Sequence, residues 1–454
     1  MHRIKYIEPL VMLATLSRWL VLATITGGIV GTGTSLFLLA LQFSLNHTEN
    51  IPLYLKMIFL PLGGIMNGLI LYYGYRHYTG LKDSTIAAVH EQSGKMPYKT
   101  LPIKPIAAII TLASGGSAGK EGPCAHIGGT IASLLGRVFR LRPELQKRIV
   151  ACGVSAGFAS VFGTPLAGAI YGVEVLTIGR IRQDIIFPSF ISGIVSFEVS
   201  KLWGIEYSYF PMTSLFDFSG IFFFKMIIIG ILCGLVAWLF IELFEQSRLL
   251  FRLIQLKYRI WPPLMPFMGG VIVAILILWI PTDYLGLSLP IMDRALDGEQ
   301  VSYFGFFWKM LLVAITLGSG FYGGIVTPQF VIGALAGNVF ATMFHMDPAL
   351  GAAVGMVAVV ASASNTPIAA IFMGIELFGM NMGIYVVAAC LSAFIVIGHR
   401  SVYPEQLVAY SKSIWMILHP NIALEKEDIH ISYDLLRKIR RMQYFRKHRY
   451  SKIK

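Results

Sequence analysis

Six uncharged stretches, each long enough to form a membrane helix, constrain the fold of this sequence more than any other feature. They cover residues 19–46, 57–75, 260–282, 310–346, 348–375 and 377–398. About 19 predominantly apolar residues suffice for a helix to cross a bilayer. Continuous runs of Leu, Ile, Val, Ala and Gly differ from the alternating segments of about 10 residues that build a transmembrane β-barrel. The sequence therefore predicts an all-α polytopic membrane protein and not an enzyme.

The positive charge of the chain raises the question of a nucleic-acid partner. The net charge is +13, yet only 13% of the residues are charged and the mean hydropathy is +0.68. The basic residues lie in short segments between apolar runs and in the tail at 437–454, whereas the stretch 283–299 is acidic. By the positive-inside rule we expect a multi-pass cell-membrane protein with cytoplasmic N- and C-termini, a tail that contacts lipid, and no nucleic-acid partner.

The cysteines offer no sign of a disulfide framework or of a metal site. Cys124, Cys152, Cys233 and Cys390 lie in apolar segments without paired or CxxC spacing, so we expect small core residues, no metal and no cofactor. The first apolar run lacks a small-residue cleavage pattern at its end, and we expect it to remain as a membrane helix.

The sequence repeats itself at an offset of about 205 residues. Eight residues between Thr111 and Gly128 are identical to those between Thr316 and Gly333, and a second block around Thr164-Pro165 matches Thr366-Pro367. Repeated halves are typical of transporters, where inverted-topology repeats with broken helices meet at a midplane substrate site. We predict a first membrane repeat with its N-terminal segment at 1–247, a second repeat at 248–411 and a basic cytoplasmic tail at 412–454.

The repeated blocks contain two glycine-rich segments that a helix cannot continue through. The first spans residues 114–123 and the second 323–328, and each ends in proline, which is favoured at the start of a new helix. Free N–H groups and the positive end of the helix dipole bind anions at such starts. Two of them directed at one point predict a site for a small anion.

Three glutamates lie inside or beside the apolar segments. Glu121 stands on the first glycine-rich segment, where its carboxylate could occupy the anion position and leave when protonated. The alternative is that Glu121 pairs with the adjacent Lys120 at the membrane surface. Glu174 and Glu376 follow the two Thr-Pro pairs at equivalent positions, and we expect them to cap or tether helices on the cytoplasmic side.

These motifs resemble the CLC family of chloride channels and chloride/proton exchangers. The segment GKEGP at 119–123 matches the family's G(K/R)EGP motif, and GIVTP at 324–328 matches GxFxP with Val326 in place of Phe. The segment GHRSVYP at 398–404 resembles the one that carries the family's central tyrosine. The match runs in order from about residue 19 to about residue 411.

The resemblance implies a set of functional residues. Glu121 would be the gate that competes with chloride, and Tyr403 would offer its hydroxyl to a central anion. The implied anion-binding residues are Gly119, Lys120, Gly122, Pro123, Gly324, Ile325, Val326 and Tyr403. The resemblance also implies a homodimer with one pore in each subunit. Cytoplasmic CBS domains do not fit in the roughly 40 residues after 411, so nucleotide regulation through them is not expected.

The sequence departs from the family pattern in two places. The family's GSGIP motif, whose serine contacts the central anion, should fall near Gly80, Leu81, Lys82, Asp83 and Ser84, where no close register keeps the serine with its glycines. Lys82 would then add positive potential at the inner mouth or pair with Asp83 in a solvated loop. The exchangers' inner proton glutamate should follow Glu174, but the chain has Val175 there, which cannot carry a proton. The proton-path candidates are thus Glu121 and Glu174.

Four functions remain open from the sequence. Val175 favours a glutamate-gated passive chloride channel, while Glu121 is compatible with a chloride/proton antiporter as well. The altered Gly80 to Ser84 loop keeps a fluoride-selective member open. A non-transporting membrane scaffold would need neither Glu121 nor Tyr403. The expected partners are chloride or other small anions, protons in the exchange version, and the lipid bilayer.

Overall fold

A computed structural model of the chain describes residues 2–48, 51–75, 84–212, 219–427 and 430–431. These residues form sixteen α-helices and five two-residue strands, which confirms the predicted helical polytopic protein. The helices of the first half are α1 His2–Thr48, α2 Leu53–Tyr75, α3 Thr85–Glu91, α4 Thr100–Ala113, α5 Glu121–Val138, α6 Pro143–Phe162, α7 Pro165–Glu174 and α8 Gln183–Leu202. Those of the second half are α9 Gly220–Tyr258, α10 Leu264–Leu276, α11 Leu289–Leu296, α12 Gly305–Gly318, α13 Val326–Met343, α14 Pro348–Ala363, α15 Pro367–Phe378 and α16 Gly383–Val396.

Five helices in the described residues are long and apolar enough to cross a membrane. They are contained in α1, α2, α8, α9 and α13. Many large apolar side chains on α1, α2 and α9 are exposed, among them Leu20, Phe59 and Trp238. Such a surface suits contact with lipid and is not expected of a soluble monomer.

Two of the uncharged runs are not single helices. Residues 310–346 are divided between α12 and α13, and residues 348–375 between α14 and α15. The glycine-rich segment before Pro328 interrupts the first run, and Asn365 interrupts the second with a left-handed φ of 54° just before Thr366-Pro367. Hydropathy alone could not separate these half-length helices, because both sides of each break are equally apolar.

The two halves correspond helix by helix. Helices α4 and α12 begin 205 residues apart, as do α5 and α13. The expected boundary at 247/248 falls inside α9, which runs without interruption from Gly220 to Tyr258. The basic stretch at 248–259 is therefore the end of a helix rather than a linker. We propose instead that the halves meet between α8 and α9.

The chain after α16 folds back onto the first half. Strand β1, Thr177–Ile178, follows α7 and pairs in parallel with β2, Leu407–Val408, which also pairs with β4, Ile422–Ala423. A second pair joins β3, Met416–Ile417, to β5, His430–Ile431. Of the expected tail at 412–454, the residues after 431 lie outside the described part of the chain. The segment around residue 403 is thus fixed beside the end of α7.

Candidate functional site

The two glycine-rich segments meet at one pair of equivalent residues. The Gly119 N–H donates to the Gly324 carbonyl and the Gly324 N–H donates to the Gly119 carbonyl, both at 2.8 Å. Because these residues correspond in the repeat and pair in antiparallel fashion, the halves are related here by a local two-fold axis. This is the arrangement expected where inverted repeats share a site.

Glycine is required at this junction because the backbones and a carboxylate lie too close for a side chain. A methyl group at Gly119 or at Gly324 would overlap the carboxylate of Glu121, and one at Gly122 would lie 2.9 Å from Gly324 Cα. The glycines therefore allow two helix starts to approach each other directly.

Helices α5 and α13 begin at this junction. They start at Glu121 and Val326, two residues before Pro123 and Pro328, and not at the prolines as the sequence suggested. The first turn of a helix has free N–H groups in any case, so a proline there costs no hydrogen bond. The predicted anion-binding residues of both halves, from Gly119 to Pro123 and from Gly324 to Val326, are brought together in one cluster.

The Glu121 carboxylate occupies the N-terminus of α13. Its Oε1 accepts the N–H of Val326 and its Oε2 accepts the hydroxyl of Thr327 at 2.6 Å. The side chain is 1% exposed, and it bonds to the opposite half rather than to neighbouring Lys120. A helix N-terminus of this kind favours one negative charge, and in this structure the carboxylate supplies it.

Tyr403 lies on the segment after α16. Its N–H donates to Ser401 Oγ at 3.1 Å, and the residue is partly exposed. Gln406 anchors the same segment by donating to the carbonyls of Val175 at 2.8 Å and Ser364 at 2.9 Å. Tyr403 is thereby held between the ends of α7 and α14.

The loop from Gly80 to Ser84, which was expected at the inner mouth of the pore, is described only at its last residue. Gly80, Leu81, Lys82 and Asp83 lie outside the described residues. Ser84 precedes α3 as its N-cap, and its oxygen accepts the N–H of Ala87 at 3.4 Å. The Ser84 oxygen is therefore used to cap a helix.

Glu174 and Glu376 each bind the other half. The Glu174 carboxylate accepts the N–H groups of Ile368 and Ala369 at the start of α15, at 3.1 and 2.8 Å. The Glu376 carboxylate accepts those of Leu166 and Ala167 at the start of α7, at 2.9 and 2.8 Å. This reciprocal arrangement has the geometry expected of helix tethers.

Val175 sits at the C-terminus of α7, at the position where the resemblance implied a proton-carrying glutamate. The side chain is 4% exposed and its carbonyl accepts the Gln406 amide. Glu174 points its carboxylate at α15 and is 5% exposed. Both oxygens of Glu174 are thus occupied by backbone donors.

Three residues in or near the site were not predicted from the sequence. Thr327 binds Glu121, and Tyr171 on α7 lies with its hydroxyl 3.1 Å from that of Tyr403. Lys309 on α12 is fully buried, and its Nζ donates to Ser117 and Ser288 Oγ and to the Gly286 carbonyl, each at 2.8 Å.

The sequence did contain a signal for Lys309. Lys104 occupies the equivalent position in the first half, is also buried, and lies 5.1 Å from the ring centre of Tyr322. Tyr322 is the repeat equivalent of Ser117, so each lysine reaches the opposite half at or next to its glycine-rich segment. A repeated lysine within apolar runs indicates such a role, because an intramembrane charge is costly.

The sequence and the fold are similar to those of known transport proteins. The family described as "Voltage gated chloride channel" matches residues 63–398. A protein of Pseudomonas syringae pv. tomato named "Chloride/fluoride channel protein" is 34% identical over 420 residues, which are 91% of each chain. The crystal structure of a CLC-type fluoride/proton antiporter shares 29% identity and a TM-score of 0.80, over 87% of this chain and 98% of that one. A slow cyanobacterial Cl−/H+ antiporter shares 26% identity and a TM-score of 0.72, over 84% and 94%.

Proposed function

The chain belongs to the family of voltage-gated chloride channels, the CLC family, and we propose that it exchanges a halide for protons across the membrane under the control of Glu121. The observation that supports this most directly is the position of the Glu121 carboxylate on the N-terminus of α13. A halide and a carboxylate each bring one negative charge to the same donors, so they compete for them. A proton on Glu121 removes that charge and favours the halide.

Antiport is the version that the relatives favour. The passive channel that Val175 suggested gains no support from the two solved structures, since both are described as proton antiporters. The bacterial relative is named a channel. Exchange by this chain would have to proceed without a carboxylate at 175 and with Glu174 engaged at α15.

The transported ion is a halide, and fluoride is a candidate beside chloride. One relative is named for both ions, and the structure with the TM-score of 0.80 is described as a fluoride/proton antiporter. Helix N-termini and hydroxyl groups bind any small anion, so the site itself accepts either one.

The decisive experiment measures proton movement in liposomes that contain the purified protein. A chloride or fluoride gradient should drive protons uphill in the opposite direction, and comparing the two gradients gives the preferred halide. Glu121→Gln should carry the halide at a higher rate, with little pH dependence and without proton movement, because the competing charge is absent. Glu144→Gln is the matched control, since Glu144 is exposed and pairs with Lys147 at the surface.

The outcomes separate the alternatives. A halide gradient that sets the membrane potential but never moves protons would overturn antiport and restore the passive channel. Unchanged pH dependence in Glu121→Gln would overturn the gate.

We also propose that the protein is a homodimer with both termini in the cytoplasm. The charge distribution supports this orientation, because the acidic stretch 283–299 lies between α10 and α12 and the basic segments lie elsewhere. A single cysteine at Asp297 should react with an impermeant thiol reagent outside the cell, and one at Glu425 should not. Since all four native cysteines are buried, the native chain serves as the background for labelling.

A further inference from the structure

The hydroxyl of Tyr171 is an unexpected polar group in the apolar core beside the site. The side chain is 2% exposed, and its neighbours on α7, Ile170 and Val173, are buried apolar residues. Phenylalanine would fill the same volume without bringing a hydroxyl that must be satisfied. The Tyr171 hydroxyl lies 3.1 Å from the hydroxyl of Tyr403.

The ring of Tyr171 is held in one orientation. It stacks on Phe158 of α6 with ring centres 3.7 Å apart and an angle of 21° between the planes. Phe158 is itself 2% exposed and packs against Phe162, which contacts Phe330 of α13. Stacking on this buried ring holds the Tyr171 ring in an orientation that keeps its hydroxyl beside that of Tyr403.

Counting protons shows what the pair of tyrosines can offer an anion. Each hydroxyl carries one proton and can accept as well as donate. When Tyr171 donates to the Tyr403 oxygen rather than to Ser364, whose side chain also lies beside its hydroxyl, the proton of Tyr403 is left to bind another acceptor. A hydroxyl that accepts a hydrogen bond is also a stronger donor, because successive bonds polarise one another.

We propose that Tyr171 is a positioning residue of the central halide site, which donates to Tyr403 and thereby directs the Tyr403 hydroxyl to the ion. This rests on the proposed function, in which Tyr403 contacts the halide. Tyr171 would strengthen the Tyr403 donor in a site whose expected serine is missing from the Gly80 to Ser84 loop. Its hydroxyl acts through Tyr403 and does not itself touch the ion.

The test is a double-mutant cycle on halide affinity, measured by calorimetric titration of chloride and fluoride into the purified protein. Tyr171→Phe should weaken binding by about three- to tenfold, the equivalent of one neutral hydrogen bond. Tyr403→Phe should weaken it at least as much. Adding Tyr171→Phe to Tyr403→Phe should have no further effect, because the hydroxyl through which Tyr171 acts is gone.

Tyr207→Phe is the matched control. The Tyr207 hydroxyl donates to the Ser160 carbonyl at 2.7 Å and also lies beside the side chain of Ser200. The Tyr207→Phe variant should leave halide affinity unchanged. It should lower the unfolding temperature by about as much as Tyr171→Phe does. If Tyr171 had only a structural role, Tyr171→Phe would weaken halide binding by the same factor in the wild type and in Tyr403→Phe.

The outcomes distinguish this proposal from the proposed function. Unchanged affinity in Tyr171→Phe together with weaker binding in Tyr403→Phe would overturn the role of Tyr171 alone. Unchanged affinity in Tyr403→Phe would overturn the role of both tyrosines, while halide-driven proton transport that depends on Glu121 would still stand.

Discussion

At the scale of single residues, the Thr327 hydroxyl bears on the proposed competition between the Glu121 carboxylate and a halide. Its Oγ1 donates to Glu121 Oε2 at 2.6 Å, a hydrogen bond to a charged group worth about 1.5–3 kcal/mol. Thr327→Val keeps the shape and removes that bond. We therefore expect the halide to displace the carboxylate more easily, with the halide concentration for half-maximal flux lowered roughly tenfold.

The measurement is halide flux against halide concentration at one pH. Thr342→Val serves as the control on the same helix, because the Thr342 hydroxyl donates to the Asn338 carbonyl of its own helix and not to Glu121. Equal apparent affinities in the wild type and Thr327→Val would show that this hydroxyl does not hold the gate.

At the scale of elements, the reciprocal glutamates join the halves through the starts of α7 and α15. Glu174→Ala or Glu376→Ala leaves two N–H groups without their acceptors, at a cost of about 1–3 kcal/mol for each buried group that water cannot reach. Both variants should therefore unfold at lower temperature in detergent. The larger loss should follow Glu174→Ala, since Glu174 is 5% exposed and Glu376 is less buried.

Glu198→Ala on α8 is the appropriate comparison. Its carboxylate pairs with Lys201 at the surface, where such a pair is worth little. If all three variants unfolded at the same temperature, the tether role of Glu174 and Glu376 would be wrong.

The sequence predicted the elements that carry strong local signals. Hydropathy indicated the membrane helices, and glycine with proline indicated the breaks before α5 and α13. The contact between Tyr171 and Tyr403 was not predictable, because it joins α7 to a segment more than 200 residues later. The tethering of α15 by Glu174 was anticipated only in general terms, since repeat equivalence shows which residues correspond but not which ones touch.

At the scale of the whole molecule, the site needs both halves. We expect residues 1–212 and 213–454, expressed together, to restore transport, since α2 packs on α10, α5 on α13 and α7 on α15. Neither piece should transport alone, because Glu121 and its partners Val326 and Thr327 are then separated. Halide flux from cells or liposomes that contain one or both pieces provides the measurement.

A cut at 247/248 is the informative contrast. It would divide α9 in the middle of a continuous helix, so we expect those two pieces to assemble poorly. Equal flux from both pairs of pieces would contradict a boundary between α8 and α9.

The reciprocal bonds between Gly119 and Gly324 also bear on the ancestry of the chain. If the halves were once identical polypeptides that associated in pairs, the same glycine in each of the two chains could have made the two reciprocal bonds. Any residue at the start of α5 would then have appeared twice around the ion. The position of Glu121 corresponds to Val326 in the second half, so two carboxylates would have faced each other across a pocket built for one negative charge. Gene duplication and fusion would have removed that constraint, because fused halves can diverge until one supplies the acid and the other its donors.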